Sequence, residues 1–284
     1  MLIIECFIGL LSMLFSLIAC FINYFILFSI FYFKRIPVNP NMILIYSRFG
    51  IDVIYTYSSF MVVTYILIMT LSTNLRIKNL IFLFVWTTTS IKTMRSILAF
   101  LITIERVIAT YFPVLFYKYR CKTSTIMIYT SILICGLINQ YVLFGYCGNV
   151  IDTPLQCSSF FCAINSCYYY YWLTYEEVVS FLNGIFSVAL LFRFFIWNFL
   201  SKTPSSNHKI ARATRIALLD FFIILFFNVI PSYTFAHSTT VNVKTIGSLS
   251  LAIKTFGFVI EGMLTCRVLF GAKKVSANVV APNS

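Results

Sequence analysis

The sequence is poor in charge: only 10% of its 284 residues are Asp, Glu, Lys or Arg, while 60% are hydrophobic. A soluble domain carries roughly a quarter charged residues, so this chain lacks the polar surface that a water-soluble fold needs. The composition predicts an integral membrane protein that has the lipid bilayer as its main surroundings. The net charge of +13 does not indicate nucleic-acid binding, because the basic residues lie mainly between apolar runs, where they set topology.

Histidine is also scarce, and the two copies, His208 and His237, are separated by a predicted membrane span. A His-based metal site or catalytic triad cannot assemble from residues on opposite sides of a membrane. We therefore expect no catalytic residues, no metal, no cofactor and no enzyme activity. The chain also lacks an Asn-x-Ser/Thr sequon, so N-glycosylation cannot report which segments lie outside the cell.

Seven apolar runs are each long enough to cross a bilayer, which needs about 20 residues per helix. The first run follows Glu5 rather than a basic segment, so we expect it to be a retained helix and not a signal peptide. No internal repeat or soluble domain is visible. The sequence predicts an all-α membrane protein, with one seven-helix domain over residues 1–284 and a short cytoplasmic tail at 267–284. The predicted helices are 6–33, 42–71, 80–104, 123–146, 176–200, 216–236 and 245–266.

Basic residues are divided unevenly between the two sides of these predicted helices, with thirteen on one side and three on the other. Because Lys and Arg stay on the cytoplasmic side, this bias predicts an extracellular amino terminus and a cytoplasmic carboxyl terminus. The thirteen are Lys34, Arg35, Arg106, Lys118, Arg120, Lys122, Lys202, Lys209, Arg212, Arg215, Arg267, Lys273 and Lys274, and the three are Arg76, Lys78 and Lys244.

The longest connection, residues 147–175, contains Cys147, Cys157, Cys162 and Cys167. The predicted topology places this loop outside the cell, where an oxidising environment favours disulfides. Four cysteines allow three pairings, which sequence does not separate, and free thiols are the alternative. The aromatic run that follows, beside Glu176 and Glu177, is typical of a membrane interface and is expected to anchor the fifth helix.

Ionisable residues inside the predicted helices are costly in lipid and usually face a partner or a cavity. Arg48 and Asp52 are four residues apart and can pair on one helix face. Lys254 and Glu261 are seven apart, also on one face. The whole set contains five bases and three acids, namely Arg48, Lys92, Arg95, Arg193, Lys254, Asp52, Asp220 and Glu261.

Lys92 and Arg95 share a face of the third helix, and Lys92 lies roughly 18 Å deep at ~1.5 Å per residue. Neither has an evident partner in its own helix, and Asp52 is expected to serve Arg48. A small-molecule ligand that carries a carboxylate could supply the missing charge, and chloride or water in a cavity are the alternatives. We therefore take Lys92, Arg95, Asp52 and Lys254 as candidate ligand-binding residues.

The third run ends in an abrupt change of character, from apolar residues to Glu105-Arg106 and then a basic cluster. This pattern is typical of the cytoplasmic end of a transmembrane helix. Glu105-Arg106-Val107-Ile108-Ala109, with Tyr111-Phe112-Pro113 and Tyr119-Arg120, resembles the nematode serpentine chemoreceptors, class BC in particular, within the G-protein-coupled receptor superfamily. The resemblance extends over the whole chain in topology, and residues 104–120 carry it at the level of a motif.

This resemblance implies a receptor for small environmental chemicals in the plasma membrane, in the cilia of chemosensory neurons, with a heterotrimeric G protein as partner. Glu105 and Arg106 correspond to the Asp/Glu-Arg-Tyr motif of rhodopsin-like receptors, with Val107 in place of the Tyr. Asp220 is the candidate partner of Arg106, and Pro231 the candidate kink of the sixth helix.

Two features depart from the wider superfamily. The seventh helix lacks an Asn-Pro-x-x-Tyr motif, and no Cys lies at the outer end of the third helix, so the loop cysteines would pair among themselves. A seven-helix ligand-gated channel and a small transporter are the competing functions. The basic-residue bias opposes the channel of the insect olfactory type, and the lack of an internal repeat opposes the transporter.

Overall fold

The chain folds into long helices that follow the seven predicted runs, and the all-α fold is confirmed. In the described residues they are α1 (Leu2–Phe31), α2 (Ile43–Leu71), α3 (Leu80–Tyr111), α4 (Thr125–Gln140, continued by a π-helical segment Tyr141–Tyr146), α5 (Ser166–Leu200), α6 (helical residues from 215 to 234) and α7 (Val243–Phe270). Short helices Pro113–Arg120 and Phe160–Ala163 lie in the connections. A computed structural model describes residues 2–35, 42–72, 75–120, 125–155, 157, 160–200, 215–216, 218–219, 221–231, 234 and 243–270.

The outer surface of the bundle is apolar, as a lipid-facing surface must be. Phe21, Leu137 and Phe181 are 60–69% exposed, which would be an aggregation hazard in water but matches hydrocarbon in a bilayer. Four helices in the described part of the chain are long and apolar enough to cross a membrane, and they are Cys6–Phe31, Ile43–Leu71, Thr125–Tyr146 and Ser166–Arg193.

The polar side chains of α3 lie inside the bundle instead. Thr89, Thr93 and Thr103 are buried, and each hydroxyl donates to the carbonyl four residues earlier in the same helix. These local hydrogen bonds satisfy the hydroxyls without a partner helix. Their burial is explained by the position of α3, which packs against α2, α4 and α5, while α1 and α7 close the ring together with α6.

Two apolar clusters occupy the two ends of the bundle. One contains Phe82, Leu143 and Tyr168, beside Cys147, and we call this side the Cys147 end. The other contains Ile45 and Ile102, from the parts of α2 and α3 nearer to Arg106, and we call this side the Arg106 end. Along α2 and α3, buried Asp52 and Arg95 lie between the residues that these two clusters use, and Arg48 lies one turn from Asp52, so a polar layer is present between the apolar clusters.

The fifth helix begins at Ser166, ten residues before the start predicted from hydropathy. Asn165 explains the earlier start, because its side-chain Oδ1 accepts a hydrogen bond from the Tyr168 N–H at 2.9 Å, as an N-cap residue does. The aromatic run that we interpreted as an interfacial segment is therefore the first turns of α5. Glu176 lies ten residues, or ~15 Å, along this helix instead of at its start.

The connection between α4 and α5 is closed by two disulfides, Cys147–Cys167 and Cys157–Cys162. The pairing that sequence left open is thus a nested one within the loop. Gly148 allows the chain to leave α4, because its φ of +57° lies in the left-handed region that residues with a Cβ rarely adopt. Asn165 also donates to the Cys147 carbonyl at 2.6 Å, which ties the end of α4 to the start of α5.

Helix α6 contains a π-helical segment, Leu225–Val229, that ends just before Pro231. Proline has no N–H to donate, and its ring clashes with the carbonyl four residues earlier. A local π adjustment can satisfy backbone groups that a proline leaves free in a membrane helix, and π segments are frequent at functional sites. The sixth helix is thus irregular beside Pro231, and the kink expected at Pro231 stays a prediction.

Candidate functional site

Four buried charged residues from three helices form one ion network in the polar layer. Arg95 on α3 lies with its Nε 2.5 Å from the Asp52 Oδ1 and donates to Glu261 on α7 at 3.1 Å. Arg48 pairs with the same two acids, with Glu261 in close contact and with Asp52 at 3.6 Å. Two cations and two carboxylates cancel, so the network is neutral although its side chains are at most 8% exposed.

This network overturns one expectation from the sequence and shows which residues Glu261 binds. Asp52 serves Arg95 as well as Arg48, so it is shared and not taken by Arg48 alone. Glu261 binds the two arginines of neighbouring helices, and not Lys254 on its own helix. A carboxylate has two oxygens that can each accept from a guanidinium, which lets two acids neutralise two arginines at once.

Lys92 also has a protein partner, contrary to the prediction. Its Nζ lies 2.6 Å from the Glu176 Oε2 and 4.5 Å from the centre of the Trp172 ring. Glu176 on α5 was missed because hydropathy placed the helix start at that residue, at the membrane interface. The cap at Asn165, an Asn three residues before the aromatic run 168–172, was the sequence signal that could have located it deeper.

A cavity opens between α2, α3, α5, α6 and α7, next to the ion network. It encloses about 600 Å³ of empty space, including the part that opens to the surroundings. Lys92, Arg95, Lys254 and Glu176 line it, and so the structure brings together three of the four predicted ligand-binding residues. The fourth, Asp52, is not among the lining residues, but it binds Arg95, which is.

Lys254 differs from the other cations of this site. It is partly buried on α7 and interacts electrostatically with Lys92 and Glu176. It forms no ion pair with any residue in the described part of the chain, whereas Lys92 pairs with Glu176 and Arg95 pairs with Asp52 and Glu261. Lys254 is therefore a cavity-lining ammonium group that has no ion-pair partner among the described residues.

Aromatic and aliphatic side chains form most of the rest of the wall, together with Ser96, Ser180 and Asn183. Phe258 on α7 lies under the Arg95 guanidinium, 4.5 Å from the ring centre, and contacts Tyr55 edge-on. Phe227 comes from the π segment of α6 and packs tightly on α7, where a Cβ added at Gly257 would approach the Phe227 Cβ to 2.6 Å. The irregular part of α6 thus borders the cavity directly.

The Glu105–Arg106 pair lies six residues before the end of α3, because the helix extends to Tyr111. Arg106 is 2% exposed, and its guanidinium lies 2.5 Å from the Glu105 carboxylate. The two side chains therefore pair with each other, and Arg106 is buried inside the helix bundle. Tyr111, at the helix end, donates to the Ala189 carbonyl of α5 at 2.9 Å and lies below Arg193.

Two other predicted features have different outcomes. Asp220, the expected partner of Arg106, lies outside the described residues. Pro231 follows the π segment on the same helix as the cavity residue Phe227.

Among the residues that the structure describes, no group of three or more His, Cys, Asp or Glu side chains is placed to hold a metal ion.

Comparison with known proteins agrees with this architecture. A family model described as "Serpentine type 7TM GPCR chemoreceptor Srbc" matches residues 1–273, which is nearly the whole chain. No curated protein matches the chain. The family match confirms the resemblance drawn from residues 104–120 and from the seven apolar runs. The chain is therefore a membrane protein that belongs to the serpentine type 7TM GPCR chemoreceptor family Srbc.

Proposed function

We propose that this receptor detects a small environmental molecule in the cavity between its helices and signals through a heterotrimeric G protein. The observation that carries the proposal is the position of the cavity. It is bordered by α3, which contains Glu105 and Arg106, and by the π segment of α6. A ligand there contacts both helices that a G-protein-coupled receptor has to rearrange.

The proposed signal runs along α3 and α6 toward the Arg106 end. Arg95 lines the cavity, and Arg106 follows eleven residues later, which is ~16 Å along a helix. Arg106 is buried, so it can meet a G protein only after the helices around it separate. A ligand favours that separated state to the extent that it binds it more tightly than the closed one. Helix α6 is the proposed moving part, with Asp220 and Pro231 as its switch residues.

The proposed orientation places the Cys147 end outside the cell and the Arg106 end in the cytoplasm. The Lys and Arg bias supports this orientation, as do the two disulfides, which require an oxidising compartment. The plasma membrane, and the ciliary membrane of chemosensory neurons in particular, is the proposed location, since a chemosensor must face the environment. A receptor of this kind performs no chemistry on its ligand.

The proposal is tested by expressing the receptor with a broadly coupling G-protein α subunit and a calcium reporter. Cells are exposed to volatile and water-soluble small molecules, and membrane current is recorded in parallel. We expect at least one compound to raise calcium in a manner that depends on the added α subunit. A ligand-evoked current that does not require any G protein would overturn the proposal and favour a ligand-gated channel.

A further inference from the structure

Besides the Asn183 Oδ1, the cavity presents two polar groups that have no partner within the described residues. The first is the Lys254 ammonium, which forms no ion pair within the described residues. The second is the Glu176 Oε1, which is buried and has no hydrogen-bond partner there, although the Oε2 of the same carboxylate binds Lys92. Lys254 and Glu176 both line the cavity.

The charges around the cavity do not cancel. The ion network and the cavity wall together contain four cations, Arg48, Lys92, Arg95 and Lys254, and three carboxylates, Asp52, Glu176 and Glu261. Among the described residues of this layer the balance is one positive charge when Lys254 is protonated. An uncompensated charge inside a membrane bundle is costly, so a bound group with one negative charge is favoured at this place.

The arginines are poor candidates for binding that group. Arg95 already has Asp52 and Glu261 against its guanidinium and Phe258 under its face. A ligand carboxylate could bind Arg95 only by displacing one of these acids, and the displaced acid would then be buried without a partner. Lys254 can take an anion without breaking any ion pair.

We propose that the cavity binds a small organic carboxylate that also carries a hydroxyl or amide N–H donor. The carboxylate pairs with Lys254, the donor binds the Glu176 Oε1, and the apolar part of the ligand lies against Phe227 and Phe258. This inference rests on the proposed chemoreceptor function and specifies its ligand class. Lys254 becomes the anion-binding residue, whereas Arg95 keeps the helices together.

A binding assay on the purified receptor tests this ligand class without any G protein. The full-length protein is reconstituted in nanodiscs, and its thermal unfolding is followed with a panel of aromatic and medium-chain hydroxycarboxylates at about 1 mM each, a concentration that detects weak ligands. The matched methyl esters and the matched carboxylates without the hydroxyl are measured beside them. We expect some hydroxycarboxylates to raise the unfolding temperature, their methyl esters to have no effect, and loss of the hydroxyl to weaken binding.

Substitutions at one position then identify the cation. Lys254→Met should weaken binding of the stabilising carboxylates by roughly tenfold or more, since it removes a charged contact worth at least about 1.4 kcal/mol. Lys254→Arg should retain most of the affinity because it keeps the charge. Lys78→Met is the matched control, because Lys78 is 61% exposed and pairs with Asp152 at the Cys147 end. This variant should bind like the wild type.

Three results would overturn the inference. They are a panel in which no carboxylate stabilises the folded wild-type receptor, equal stabilisation by acids and methyl esters, and unchanged affinity in Lys254→Met. The comparison of acid with ester uses the wild type, so it decides the question even where Lys254→Met does not fold. Signalling by a neutral compound, with no carboxylate bound, would contradict the proposed ligand class but not the proposed receptor function. Carboxylate binding without G-protein activation would contradict the receptor function but not the ligand class.

Discussion

The Arg95 guanidinium donates a hydrogen bond to the Glu261 carboxylate, 3.1 Å away and 166 residues later in the chain. The contact joins α3 to α7, and Asp52 extends it to α2. Because Arg95 also lines the cavity, the same residue borders the site where a ligand is proposed to bind and the network that connects three helices. The network therefore couples the cavity to the packing of the bundle.

Removal of the Glu261 carboxylate should destabilise the receptor strongly. Glu261→Gln keeps the shape of the side chain but leaves Arg48 and Arg95 to share one acid, Asp52. Loss of one partner from a buried ion pair typically costs about 3–5 kcal/mol, because the remaining charge is left uncompensated. Thermal unfolding in nanodiscs measures the effect. Glu177→Gln is the control, because Glu177 is exposed on α5, and equal unfolding temperatures for the two variants would contradict the structural role of the network.

The close contact between α6 and α7 predicts a steric effect at Gly257. Gly257→Ala introduces a Cβ that would lie 2.6 Å from the Phe227 Cβ and 2.8 Å from its Cγ, so one helix has to move. Overpacking of this kind costs about 1–3 kcal/mol. Gly50→Ala is the matched control, since a Cβ at Gly50 meets nothing within 4 Å. The Phe227→Gly substitution should relieve the clash, because it removes the Phe227 Cβ as well as the Cγ. A Gly257→Ala/Phe227→Gly double variant that is no more stable than additivity predicts would argue against this helix contact.

The loop disulfides predict unequal losses of stability. The Cys147–Cys167 bridge closes a segment with a sequence separation of 20, against 5 for Cys157–Cys162. A bridge restricts the unfolded chain more when its loop is longer, and the larger bridge should contribute about 3 kcal/mol. The double substitution Cys147→Ser/Cys167→Ser should thus lower the unfolding temperature more than Cys157→Ser/Cys162→Ser. Mass spectrometry of non-reduced peptides checks the pairing. Any other pairing of the four cysteines, or four free thiols, would contradict this prediction.

The basic-residue bias predicts the orientation of the chain. An epitope placed before Met1 should be labelled on intact cells, whereas one placed after Ser284 should be labelled only after permeabilisation. A third epitope in the loop between α4 and α5 should behave like the one at Met1, because an odd number of helices separates the loop from the tail. Labelling of the carboxyl-terminal epitope on intact cells would show the opposite topology and contradict the proposed receptor mechanism.

The fold was largely predictable from hydropathy, and the site was not. Long apolar runs identify helices because a helix has to satisfy its own backbone hydrogen bonds in lipid. Pairing across helices depends on rotation and depth, and a run of residues such as 245–266 specifies neither. Glu261 and Lys254 lie on one face of α7, for example, yet Glu261 reaches Arg48 and Arg95 on two other helices.

Glu176 shows how one boundary error changes an interpretation of function. With α5 starting at residue 176, this carboxylate belonged to the interface, and Lys92 then appeared to need a ligand. With α5 starting at Ser166, Glu176 reaches Lys92, and the cation without a counter-charge becomes Lys254. The start of a helix is difficult to locate from sequence where aromatic residues suit both a membrane interface and a helix. Here the cap at Asn165 sets the start of α5.

Agonist-dependent nucleotide exchange on a purified G-protein α subunit, with wild-type receptor and Arg106→Ala side by side, tests the receptor mechanism most directly. Arg106 is buried beside Glu105, and Lys34, an exposed basic residue after α1, is the matched control. Because only Arg106 is proposed to contact the α subunit through the opened bundle, exchange should be rapid with the wild type and with Lys34→Ala. It should fall by roughly tenfold or more in Arg106→Ala, a loss of about 1.4 kcal/mol or more in coupling, while agonist binding is retained. Wild-type rates of exchange from Arg106→Ala, or bound agonist without exchange on any class of α subunit, would contradict it.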